Sequence, residues 1–276
     1  MWGLILLACT SEIKETEFSF CSSATSALYD PLGSEEILSF PDDFLTSADP
    51  HSPTGLYLDF SESKAPWSPL LPNLLLSVPQ DAKTRSGFAR MGNVVMRFSG
   101  PISEGPNDPL ASLEDSSLLW LDISVSPPER IPFSTKLGED FDQLILSPLF
   151  PLRPGAKHAV FMTNEYSDAE GNCIAPAPLI KDIINDTATE PLHEMHSDYM
   201  EAISAAEINP ETISHAIVFT TQADHGLMIE VSHDIEQQSY RWEEEPNCES
   251  TEEHRYCVGT LKARDYRNGK EILDTE

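Results

Sequence analysis

The chain has 276 residues, 40% of them hydrophobic, with 17 basic against 46 acidic side chains and a formal net charge of −29. A field of that sign repels nucleic acid and anionic head groups, which excludes polyanion-binding functions. It leaves an acidic solvated surface, with cation binding or a basic partner as the sharper alternative. No run of about 18 apolar residues occurs, so no segment is a candidate membrane-spanning helix. The 22 Pro and 13 Gly favour short strands and long loops over helices.

At the amino end, Leu6-Leu7-Ala8-Cys9 fits a lipobox, with a small residue before a cysteine that is cleaved and lipidated. Residues 1–27 are therefore expected to be a lipoprotein-type signal and a Ser-, Thr- and Glu-rich tether, attached to the membrane through lipid on Cys9. Setting Cys9 aside leaves Cys21, Cys173, Cys248 and Cys257, an even set that suits an exported disulfide protein. Four cysteines allow three pairings. Cys248 and Cys257 flank a short polar segment that a bond would staple into a hairpin, with Cα atoms about 4.4–6.8 Å apart. Cys21 and Cys173 then pair by default. No CxxC spacing points to a metal.

Residues 28–86 are rich in Pro and turn signals, with a short strand at Gly55–Phe60. Pro66-Trp67-Ser68-Pro69 and Leu70–Val78 form a Pro-bounded apolar loop. The clearest strands follow: Val94–Phe98, Leu118–Ser124, Ile131–Lys136, Gln143–Leu146 and His158–Thr163. In the second of these, Leu119, Leu121 and Ile123 are expected to face the core, alternating with Trp120, Asp122 and Ser124. Pro151–Gly155 and Asp168–Asn172 read as turns, the second with Gly171 or Asn172 at positive φ. Near 178–206 the period changes: Leu179, Ile180, Ile183 and Ile184 predict one helix, and Leu192, Met195, Tyr199 and Ile203 a second. His215–Thr220 returns to strand, Thr221–Gln237 reads as helix, and Tyr256–Leu261 as a short strand.

Several segments, in order, resemble the N-terminal domain of bacterial virulence-factor lipases and the Ig-like domains of lipase-like lipoproteins. They are Ser39-Phe40-Pro41-Asp42-Asp43-Phe44-Leu45, Gly87-Phe88 to Phe98-Ser99-Gly100-Pro101, and Leu152, Pro154, Gly155, Ala159–Thr163, Asp168, Gly171 and Asn172, with Val218–Gln222 as the exit strand. His158 stands where that pattern carries Tyr. The resemblance covers roughly residues 28–276. It implies a mainly β fold, an Ig-like β-sandwich with helical insertions (α+β overall), over residues 28–222. Residues 223–276 would be a helix and a disulfide-stapled linker leading to an α/β-hydrolase domain, which the segment around Asp265-Tyr266-Arg267 precedes in that family.

There is no Gly-x-Ser-x-Gly, since Ser99-Gly100 lacks the first Gly. His225-Gly226-Leu227 is similar to a hydrolase oxyanion loop, but Asp224 before it makes a helix start the better reading. His193 and His196 are three apart, whereas zinc proteases space theirs by four, so a solvated helix face is expected. Asp168–Gly171 matches only part of a calcium loop. Asp42-Asp43, Asp140 with Asp142, and Glu243–Glu245 are acidic clusters of the kind any such acidic chain contains. The expectation is therefore no catalytic, metal or cofactor residue and no nucleic-acid partner. The function expected is a non-catalytic module of an exported outer-membrane lipoprotein, positioning or gating a following hydrolase domain. The alternatives are a secreted form, a stand-alone surface-binding lipoprotein, or a hydrolase using His193, His196 or His225.

Overall fold

A computed structural model describes residues 20–33, 39–72, 75, 77–223, 226–238, 241–251 and 254–260. Cys9, Asp224, His225 and the Asp265-Tyr266-Arg267 segment lie outside them. The chain divides into two compact units, Met1–Ala223 and Asp224–Glu276.

The first unit is mainly β. Its strands are β1 (Ala27–Leu28), β2 (Ser39–Phe40), β3 (Thr46–Ala48), β4 (Leu56–Leu58), β5 (Val94–Phe98), β6 (Leu118–Asp122), β7 (Glu129–Arg130), β8 (Phe133–Leu137), β9 (Gln143–Pro148), β10 (Lys157–Thr163) and β11 (Ile213–Thr220). Its helices are α1 (Val78–Ala82), α2 (Pro178–Ile184) and α3 (His196–Ala206). One sheet runs β1-β5-β9-β8, with β2 also on β5; a second runs β11-β10-β6-β7; β3 and β4 form a separate ribbon. Every one of these pairings is antiparallel, and neither large sheet closes on itself. No crossover helix separates β5 from β10, which is why the strands return by turns and pair antiparallel.

The sheets bury their facing side chains. On β5, Val94, Met96 and Phe98 alternate inward, as do Leu144 and Leu146 on β9. Trp120 of β6 meets Phe133 of β8 at 6.1 Å between ring centres, so the core is shared by residues of both sheets. β10 and β11 are buried almost end to end.

Several boundaries differ from expectation for physical reasons. β6 ends at Asp122, whose Oδ1 accepts from Ser124 N–H and turns the chain out of the sheet. Its buried face is Leu118, Trp120 and Asp122, not the expected Leu119, Leu121 and Ile123; of that trio only Leu121 is buried. β8 starts at Phe133 because Pro132 offers no amide to the ladder. Thr221 is not helical. It bridges Phe88 in parallel, and its hydroxyl donates to Arg153 O, so the helix α4 (Gly226–Gln237) begins only in the second unit.

Residues assigned to the tether are also part of the first unit. Ala27 is fully buried in β1, Ser26 bridges Ala175, Thr25 Oγ1 donates to Asp168 Oδ2, and Cys21 is bonded to Cys173. The turn that receives this strand is the Asp168–Asn172 turn. Asp168 Oδ1 accepts from Glu170 and Asn172 N–H, and Gly171 sits at φ +86° where a side chain would be strained.

In the second unit, β12 (Asn247–Ser250) and β13 (Arg255–Val258) form a hairpin with Cys248 opposite Cys257. The two are bonded, with Cα atoms 4.0 Å apart, closer than the expected window. Thr251 N–H donates to His254 O at the turn, so alternation makes the cysteines a pair without mutual backbone bonds, the closer of the two kinds.

Candidate functional site

Residues 40–46 enter the first unit through Phe40, Pro41 and a short 3-10 turn at Asp43–Leu45. Asp42 caps that turn: its Oδ1 accepts from Phe44 N–H at 2.8 Å. Its Oδ2 is buried and makes no hydrogen bond of ordinary geometry. Burial pushes this carboxyl up to about 7, against the lowering effect of the Phe44 amide and the Tyr29 hydroxyl. Asp43 reaches the end of β11, accepting from Thr220 N–H at 2.8 Å and from Thr220 Oγ1 at 2.7 Å. Burial raises it to about 6, offset in part by those two bonds. Burial and the Asp42 charge together hold the Tyr29 and Tyr199 hydroxyls far above the ordinary range.

Beside this turn lies a cavity of about 400 Å³. Phe44, Leu56, Met195, Tyr199 and Val218 supply apolar wall, and Asp43, Glu194, Asp198 and Lys64 supply charge. Lys64 Nζ sits 4.7 Å over the Phe44 ring, and Lys157 Nζ holds Asp198 Oδ1 at 2.7 Å. The size is within the range of small-molecule sites, about 300–1,000 Å³. Asp43 of the acidic pair Asp42-Asp43, discounted in the sequence as commonplace, thus lines this concave site, while Asp42 is the N-cap of the turn that places it.

Two buried histidines escaped sequence reasoning as sites. His215 on β11 places Nε2 at 2.8 Å from Ser39 Oγ of β2, a contact between residues 176 apart in sequence. This is the distance of a nucleophile–base pair. Ser39 Oγ also lies 3.4 Å from Leu28 O, so its hydroxyl has two acceptors within reach, Leu28 O and Nε2. Among the described residues no carboxylate accepts from Nδ1 to orient the ring as in a catalytic triad. Burial pulls His215 down to about 4, so the ring is neutral. His158 on β10 stacks on Phe219 at 5.4 Å, its ring nitrogens make no hydrogen bond of ordinary geometry, and burial pulls it down to about 4 against the raising effect of the Asp122 charge and the Leu121 backbone.

The sequence-singled histidines fall elsewhere. His193 lies in the 3-10 turn Leu192–Met195 and His196 at the start of α3. His193 Nδ1 is 3.2 Å from Asp186 Oδ1, and His196 Nδ1 is 2.6 Å from Ile183 O. His193 is exposed and His196 half-buried, so the pair faces solvent as expected while also closing the carboxyl end of α2. Among the described residues no group of three or more His, Cys, Asp or Glu side chains is arranged to hold a metal ion. No helix among them is long and apolar enough to cross a membrane.

No family model and no curated protein matches the chain. Among solved structures, "Structure of surface layer protein SbsC, domains 1-6" aligns at 8% identity and TM-score 0.28, over 73% of this chain and 23% of that one. "Crystal structure of the N-terminal part of the bacterial S-layer protein SbsC" aligns at 10% identity and TM-score 0.27, over 72% and 40%. A third, "Crystal structure of the S-layer protein rSbsC(31-844)", aligns at 12% identity and TM-score 0.24, over 41% and 17%. This chain therefore spans less than half of each S-layer chain, and the scores are too low to indicate a shared fold.

Proposed function

We propose that the chain is a non-catalytic Ig-like β-sandwich module of an exported lipoprotein, anchored through Cys9, that positions or gates a following α/β-hydrolase domain. The observation that carries this reading is the Ser39–His215 contact. It is the one serine–histidine hydrogen bond among the described residues, and the lack of a carboxylate on the ring favours a packing role between β2 and β11. The two disulfides favour an oxidising compartment outside the cytoplasm. The two antiparallel sheets joined by the Trp120–Phe133 contact favour the sandwich reading. The ordered lipase-like motifs favour the hydrolase partner.

Two experiments test it. The reading frame after Glu276 is expected to encode a Gly-x-Ser-x-Gly between a strand and a helix; an immediate stop codon redirects the reading to a stand-alone surface protein. Labelled fatty acid is expected to enter the protein expressed from its native start and to be lost in Cys9→Ser. Absence of label in the parent sinks the anchor.

A further inference from the structure

Residues 65–80 contain five leucines and no charged side chain. Both ends of this stretch are built into the first unit. At the entry Ala65, Trp67 and Ser68 are buried, and the Trp67 ring packs on Phe60 at 5.7 Å between centres. Beyond the exit Ala82 and Ser86 are buried, and Leu58 N–H of β4 donates to Arg85 O. Between these ends apolar side chains stand outward: Leu70 is 66% exposed, Leu75 41% and Val78 38%. Exposed apolar groups gathered on one loop mark a surface that meets something apolar.

The sequence of the loop narrows what that is. Pro66, Pro69, Pro72 and Pro79 remove four amides and fix φ, so no strand can add along it. The aromatic anchors that centre most protein docking surfaces are missing, because Phe60, Trp67 and Phe88 beside it are buried. What is exposed is aliphatic, and an acyl-chain boundary asks for apolar area rather than matched shape.

Charge points the same way. From Phe60 to Ser103 stand five basic residues and only two acidic ones, Glu62 and Asp81, in a chain that has 17 and 46. Two of the five, Lys83 and Arg85, directly follow α1, are exposed, and make no ion pair among the described residues. At a helical rise of 1.5 Å per residue, Lys83 stands about 8 Å along the axis from Val78. The chain-wide negative charge acts weakly here, since physiological salt screens exposed charges beyond about 8 Å.

We propose that this loop is a shallow membrane contact, with Leu70, Leu75 and Val78 at the boundary between head groups and acyl chains of an anionic bilayer and Lys83 and Arg85 on its phosphates. The irregular backbone keeps the contact shallow, since unpaired amides do not enter hydrocarbon. The long basic side chains span from the apolar residues to the charged layer. The contact is separate from lipid on Cys9, and it orients a domain that a single tether leaves free to turn.

The test uses the full chain carrying Cys9→Ser, so no acyl chain contributes and failure of the anchor leaves the result untouched. Flotation with phosphatidylcholine vesicles holding about 30% phosphatidylglycerol is compared with phosphatidylcholine alone, at about 0.15 M salt. The chain is expected to float with the mixed vesicles, half bound at accessible lipid on the order of 1 mM, and several-fold less with phosphatidylcholine alone. Leu70→Ser with Leu75→Ser should weaken binding to the mixed vesicles at least about tenfold. Lys83→Gln with Arg85→Gln should weaken it about tenfold there and leave phosphatidylcholine binding unchanged. All four side chains are exposed, so the fold survives their replacement. Leu110→Ser, at a leucine 65% exposed on another loop, should bind like the parent. Failure to float with the mixed vesicles overturns the proposal and leaves the loop to a protein partner. So does a loss in Leu110→Ser equal to that of the leucine pair, or binding that follows the two bases and ignores the two leucines.

Discussion

Replacing Asp42 with Asn isolates the cost of a buried carboxylate. Asn keeps an oxygen to accept from Phe44 N–H, so the cap that starts the 3-10 turn survives. It removes the charge that burial disfavours. The carboxyl is raised from 3.8 to about 7 in the fold, which corresponds to on the order of 4 kcal/mol between the two protonation states. Because the folded value is raised, this stability is fully present below the unfolded value of 3.8 and is lost as pH rises through about 7. The new amide N–H takes the place of the unpartnered Oδ2 and costs about 1–3 kcal/mol if it finds no acceptor.

Asp42→Asn should therefore be neutral or slightly destabilised near pH 4 and gain on the order of 1–3 kcal/mol over the parent by about pH 8. Urea unfolding followed by tryptophan fluorescence, repeated across that range, reads the difference. The parent's own curve is a poor guide. His158 and His215, lowered from 6.5 to about 4, contribute stability that is lost as pH falls below 6.5, opposite in sign to Asp42 and Asp43 over the same window. The variant-minus-parent difference cancels the histidines. A difference that stays flat from acid to alkaline pH refutes the reasoning.

His158→Phe keeps the stack on Phe219 and removes two nitrogens that make no hydrogen bond of ordinary geometry, so stability at neutral pH should hold or rise by about 1–2 kcal/mol, with a larger gain below about pH 5, measured by the same unfolding series. Gly87→Ala should destabilise by more than about 3 kcal/mol, because its Cβ would stand 2.6 Å from Thr220 O and 2.7 Å from Thr221 C, both backbone; a thermal midpoint close to the parent's would contradict it. Cys21→Ser with Cys173→Ser opens a crosslink spanning 152 residues and should cost about 3–5 kcal/mol in the first unit. Cys248→Ser with Cys257→Ser should leave that unit's unfolding midpoint unchanged, since the hairpin belongs to the other unit.

Strands whose partners lie nearby, or whose apolar runs are nearly continuous, were legible: Val94–Phe98 was placed to the residue, and His158–Thr163 lacked only Lys157. Period-three-and-four spacing found α2 and the buried Leu192, Met195, Tyr199 and Ile203, although the first turn is 3-10 and only the rest α. What failed was the choice of face where both faces are apolar. In β6, Trp120 goes inward because Phe133 and Phe219 stand at 6.1 and 6.0 Å, contacts that no local pattern contains. The candidate site failed for the same reason. Asp43 meets Thr220 across 177 positions, and Ser39 meets His215 across 176, so burial and partnership come only from tertiary packing. The composition before Ala27 reads as a polar tether, yet Thr25 and Ser26 hydrogen-bond to Ser99, Asp168 and Ala175.

In the proposed function these residues position chemistry without performing it. Its most direct test is steady-state hydrolysis of a short-chain p-nitrophenyl ester by the purified chain, with Ser39→Ala and His215→Gln beside it. The rate should not exceed buffer, and the two variants should be indistinguishable from the parent. Turnover that disappears in either variant would make Ser39–His215 a working nucleophile and base, and would contradict the claim.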